Sequence, residues 1–163
     1  AKMSKLCEEK PSLSALRIWR ARGYSSAAQA ATGAGEVDAA ILLREQAAVE
    51  LMELLETHPN RADVQGELSS ALAAIAQSAL EEGELDRAGD LATRSLELLE
   101  TAVSNPEERG GALNQLASLK SVLAACRAGT GHPREALRLV REGQEHAEAA
   151  LVRNSRDLSL IHI

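Results

Sequence analysis

Aromatic side chains are almost missing from this sequence. It has no phenylalanine, one tryptophan (Trp19) and one tyrosine (Tyr24), so aromatics make up 1% of 163 residues. The apolar content is carried by alanine and leucine, which favour helices; aromatic and β-branched residues would favour strands. Cysteine is scarce too. Cys7 and Cys126 stand far apart, in neither a metal-ligand spacing nor a disulfide framework. They read as free thiols of a reducing compartment, which points to the cytoplasm. No apolar run approaches the ~20 residues needed to cross a bilayer, so no membrane segment is expected. The N-terminus lacks an apolar stretch that could serve as a signal peptide. The chain opens on Ala1 rather than Met, and an upstream segment is expected.

Motifs that carry chemistry are also missing. HExxH, CxxC and GxxxxGK do not occur. Thr32-Gly33-Ala34-Gly35 and Gly129-Thr130-Gly131 resemble phosphate loops, but no strand precedes them and no lysine follows, so they read as turns. His58 precedes Pro59 at a helix end, where a cation suits the helix dipole. His132 precedes Pro133 in a turn, and His162 lies in the C-terminal tail. Glu142 and His146 share a helix face, yet a third metal ligand is not evident. No serine has a His/Asp constellation near it in the expected topology. The expectation is a binding protein that is not an enzyme, with no catalytic residue, metal or cofactor.

What is present is enough for one domain with a sizeable core: 163 residues, 45% of them hydrophobic. The net charge of −6 is unevenly spread. Residues 1–22 carry six Lys/Arg and two Glu; residues 36–108 carry four Arg and seventeen Asp/Glu; residues 109–156 carry eight basic and four acidic groups. An acidic middle argues against nucleic acid, which needs a basic stripe. It either attracts a basic protein or peptide partner or is a solvated helix surface.

A repeat organises the chain. Gly35, Gly83 and Gly131 lie 48 residues apart. Five residues after each comes an alanine (Ala40, Ala88, Ala136), and seven before each comes another (Ala28, Ala76, Ala124). Glycine leaves a helix most easily because it takes positive φ without steric cost. Alanines on both sides let two helices approach closely. Around Gly83 the apolar residues recur at three and four: Leu68, Leu72, Ile75, Ala76 and Ala79 before it, Leu85, Ala88, Leu91, Ala92, Ser95, Leu99 and Ala102 after it. Both are amphipathic helix patterns. Asn105-Pro106-Glu107-Glu108 reads as an N-cap, an N1 proline and a capping-box glutamate. Pro59-Asn60 reads as the end of one helix and the cap of the next. The expected helices cover 12–33, 36–57, 61–82, 84–104, 107–128 and 133–153, in repeat units 12–58, 59–105 and 106–157 after an N-terminal segment 1–11.

A small residue, glycine seven on and alanine five further resembles the tetratricopeptide repeat, over residues 13–157. Ile75 and Leu123 fill the family's leucine position before the first small residue, where Ala27 is shortened. Tyr24 and Leu72 fill its large position four before, where Lys120 departs. The 48-residue period exceeds the usual ~34 and looks like the long-repeat arrays of large bacterial signalling proteins. The resemblance implies an all-α fold: an α-solenoid of three antiparallel helix-turn-helix pairs, stacked with a right-handed sense. It implies that the first helix of each pair lines a concave, partner-binding face, here Arg22, Ser25 and Gln29, then Ser70, Ala73 and Gln77, then Ser118, Ser121 and Ala125. These are small and uncharged apart from Arg22, and the Lys/Asn clamp that grips a peptide carboxylate in some relatives is not visible. The expected function is a protein-interaction scaffold taking a helix or extended segment. The alternative is a regulatory domain of an attached enzyme or DNA-binding protein, such as a bacterial serine/threonine kinase or transcriptional regulator. Trp19 is expected to pack the terminal helix onto its neighbour, with a role as binding anchor the alternative.

Residues 158–163, LSLIHI, resemble one translated frame of a transposon end used in building sequencing libraries, and are expected to be a non-native tail. Asn154 to Leu158 resembles the start of a further repeat, so the natural chain is expected to continue. A solenoid needs a polar cap or another repeat at each end. Val140, Ala147, Ala150 and Leu151 are therefore candidates for a partly uncovered face open to self-association, with some of them expected to pack on the preceding helix.

Overall fold

The structure is a computed structural model describing residues 11–102 and 109–161. Among these residues there are six helices and no strand: α1 Pro11–Gly33, α2 Val37–Thr57, α3 Ala62–Glu81, α4 Leu85–Ala102, α5 Arg109–Gly129 and α6 Pro133–Ile161. The expected Asn105–Glu108 cap lies outside the described residues, as do His162 and Ile163. The backbone of the tail is helical through Ile161.

The three repeat glycines end α1, α3 and α5 in the same way. Their φ values are +79°, +82° and +82°, and no other described residue has a positive φ. In each turn the residue after the glycine donates its N–H five residues back: Glu36 to Ala31 O (2.9 Å), Glu84 to Ala79 O (2.8 Å) and His132 to Arg127 O (2.8 Å). Each glycine donates three back, to Thr32, Leu80 and Ala128. This is the Schellman ending, which satisfies carbonyls the helix leaves free and requires the left-handed conformation at the glycine.

Residues on the two sides of each glycine turn then meet. Arg17 pairs with Glu50 and Arg44 donates to Thr32 Oγ1 across the first turn; Ser69 meets Ser95 across the second; Lys120 pairs with Glu142 and Arg127 with Glu135 across the third. The six signature alanines are buried between these helices, with Ala28, Ala76 and Ala88 at 0% exposure.

A second row of small residues sits at the helix crossings. Ser69 and Ser95, both 0% exposed, exchange hydrogen bonds, each hydroxyl donating to the other's carbonyl at 2.8 and 2.7 Å. Forty-eight residues on, a Cβ on Gly143 would stand 3.4 Å from Ala117 O. Forty-eight residues back are Ala21 and Ala47, both buried in one core. Lys120, where an apolar residue was expected, fits because its stem packs on Gly143 and its ammonium reaches Glu142 at 2.7 Å.

The core has two parts that share α3. Leu68, Leu72 and Ile75 pack with α1 and α2, whereas Ala76 and Ala79 pack with α4, α5 and α6. Each helix packs on its neighbours in sequence, and α3 also touches α1 and α5. No contact joins α1 or α2 to α5 or α6 among the described residues.

Two expectations need correction. The residue before α3 is Arg61, not Asn60, and no side chain caps that end. Instead Gln65 Nε2 donates to Pro59 O at 2.8 Å, tying the turn to the helix from inside. Trp19 does not pack α1 onto a neighbour: it is 67% exposed, with the Arg22 guanidinium 5.8 Å from its ring centroid. Of the candidates for an uncovered face, Val140 and Leu151 are exposed, Ala147 is half-buried, and Ala150 at 1% exposure is one of those that pack inward.

Candidate functional site

The first helices of successive pairs touch through one contact that recurs. Arg22 Nε on α1 donates to Glu67 Oε1 on α3 at 2.7 Å. Forty-eight residues further, Ser70 on α3 meets Gln115 Oε1 on α5 at 3.4 Å, and Gln115 Nε2 donates to Ser69 Oγ at 2.9 Å. Between them lies a groove of about 360 Å³ walled by Arg22, Asp63, Glu67, Ser70 and Gln115, with Leu99, Ala102 and Ala112 supplying apolar surface. The bond from Arg61 holds the Asp63 carboxyl below its ordinary range, so it stays anionic.

The nine residues expected on a binding face fall into three sets. Arg22 and Ser70 share the polar groove. Ser121 and Ala125 share a second, apolar groove of about 590 Å³ between α5 and α6, with Ala124, Ala128, Leu137 and Val140. The other five line neither groove. Gln29 and Ser118 are exposed, Ser25 is half-buried, Ala73 packs against the core, and Gln77 Nε2 donates along its own helix to Glu81 at 2.9 Å. Asp63, Glu67 and Gln115 were not anticipated in the sequence. A signal existed for two of them, since Glu67 and Gln115 stand 48 apart, in the same register as Trp19.

The charge asymmetry of the sequence is partly folded away. Arg17 and Arg20 pair with Glu50 and Arg17 also with Glu53, while Arg87 pairs with Glu45 and Glu84. Burial pushes the Glu50 carboxyl up, but the hydrogen bonds from Arg20 and Arg17 outweigh it and hold the group below its ordinary value. The basic N-terminal helix thus neutralises part of the acidic middle.

No family model, curated protein or solved structure matches this chain.

No group of three His, Cys, Asp or Glu that could hold a metal occurs among the described residues. The Glu142 carboxylate beside His146 is engaged by Lys120 and Arg138. Burial pushes the Cys126 thiol up, which makes it a poor nucleophile. No described helix is long and apolar enough to cross a membrane.

Proposed function

We propose that this chain is a protein-interaction scaffold: an α-solenoid of three antiparallel helix pairs, similar to tetratricopeptide arrays, that takes a polypeptide segment in the groove along its first helices. The recurrence of one contact carries this reading, Arg22 to Glu67 and then Ser70 to Gln115 in the same register. Equivalent helices touching in an equivalent way is the behaviour of stacked repeats. The absence of contact between the first and last pairs among the described residues supports an open stack over a closed bundle.

The groove walls indicate the chemistry of the segment. Ser70 and Gln115 offer donors and acceptors to a main chain; Glu67 is held by Arg22 and Asp63 by Arg61, but the lining carries two carboxylates against the one guanidinium of Arg22, an excess that favours a lysine or arginine. At about 360 Å³ the groove lies near the small end of the ~300–1,000 Å³ range of ligand sites, room for a short stretch of chain.

Peptide-display selection on the immobilised protein, followed by calorimetric titration of the selected peptides, tests the reading. The selected sequences should carry basic residues. Ser70→Trp, which fills the groove from an exposed position, should weaken them by about tenfold or more, ~1.4 kcal/mol. Failure to select any peptide, or equal affinity for the wild type and Ser70→Trp, would overturn it.

A further inference from the structure

We propose that copies of this chain associate head to tail, the outer face of α1 of one copy seating in the apolar groove between α5 and α6 of the next. The proposal rests on the repeat reading of the fold but not on what the polar groove binds.

Both halves of the contact are open. The receiving groove, about 590 Å³, has no charged residue in its lining, and Leu137 and Val140 on its wall are 61% and 42% exposed. The entering surface is a stripe on α1: Leu16, Trp19, Gly23, Ala27, Ala30 and Gly33. Its members recur at three and four, carry no charge and are all exposed, Leu16 at 62% and Trp19 at 67%.

The same groove one repeat earlier shows what covers it. Forty-eight residues before Ala124, Pro133, Leu137 and Val140 stand Ala76, Leu85, Gly89 and Ala92. There α5 is the cover. Cys126 packs on Gly89, Gly129 lies against Leu85, and Ala76 and Ala92 are buried in a core that α5 shares. The surface α5 uses comprises Ala112, Gln115, Leu119, Leu123, Cys126 and Gly129. Ninety-six residues before these six stand the six residues of the α1 stripe, in order. The fold therefore makes this contact internally and carries both of its unfilled halves.

Advancing the register one step puts Ala30 of the entering copy on Leu137, Gly33 beside Pro133 and Trp19 against Ser118. The sizes are complementary: Gly89 receives the larger Cys126, whereas the larger Leu137 would receive Ala30. Trp19 stands where α5 has Gln115, an amphipathic anchor of the kind that dominates interfaces. A second copy is the occupant that these observations favour, because one chain supplies both surfaces in one register. Such a heterologous contact does not close on itself and runs to open chains.

Sedimentation velocity from micromolar to millimolar concentration tests this. The wild type should pass twice its 17.3 kDa mass without a plateau. Trp19→Glu and Leu137→Glu should each be monomeric alone. Mixed in equal amounts they should form a dimer and nothing larger, since each retains one intact half. Circular dichroism checks that both variants fold; Ala27→Glu and Val140→Glu replace either one that does not. A wild type that stays monomeric, a plateau at the dimer, single variants that still associate, or a mixture that remains monomeric would each overturn the proposal.

Discussion

At Gly83 the chain adopts a backbone conformation that an L side chain resists by about 1–2 kcal/mol, and a Cβ added there would meet nothing in space. The whole cost of Gly83→Ala should therefore be conformational, a loss of about 1–2 kcal/mol in urea unfolding. Gly66, inside α3, is the opposite case. Its φ is not positive and the space around it is open, so Gly66→Ala should gain about 0.5–1 kcal/mol. Equal effects at the two positions would contradict this account of the turns. The turn glycines and their flanking alanines were legible in the sequence because the residue type itself recurs. The crossing row was not, because Ala21 and Ala47, Ser69 and Ser95, and Ala117 and Gly143 share only smallness. The exposure of Trp19 was also illegible: its position has the apolar spacing of a buried face, and burial depends on whether another helix covers α1 there.

Between elements, charge joins α1 to α2. Arg17 and Glu50 are 12% and 19% exposed, so this network is better shielded than a surface pair. Glu50 titrates below the ordinary glutamate value of 4.5 despite the burial that would raise it. A carboxylate with a depressed folded-state pKa stabilises the protein above its unfolded pKa, and that stability is lost as pH falls through the folded one. Glu50→Gln should therefore cost about 1 kcal/mol at neutral pH, the upper end for exposed pairs. The gap from wild type should close as pH falls below about 4.5, where the wild-type carboxyl also becomes neutral. Thermal midpoints of both proteins across that range measure it; a constant gap would show that the interaction is not ionic. Helix order and the bounds of the first five helices were legible from the three-and-four spacing to within two residues, whereas α6 runs to Ile161, eight residues past the expected 153. The start of α3 was not, because asparagine is a strong cap by type, and sequence alone cannot show that Gln65 reaches Pro59 instead.

For the whole molecule, the sequence held the 48-residue period but not the way charge folds on itself. Arg17, Arg20 and Arg22 are distant in sequence from Glu50, Glu53 and Glu67, and only packing of α1 against α2 and α3 brings them together. For the same reason the candidate site was half legible. Counting back from the glycines reached Arg22 and Ser70, but not the partners Glu67 and Gln115 that wall the groove with them. In the proposed architecture three helix pairs stack in order by one repeated contact. Nuclear Overhauser contacts in labelled Leu137→Glu protein, which should be free of association between copies, test it most directly. Contacts should link α1 with α3 near Arg22 and Glu67, and α3 with α5 near Ser70 and Gln115, with none between α1 and α5 or α6. Contacts from α1 to α5 or α6 in that monomer would mean a closed bundle and contradict the repeat account.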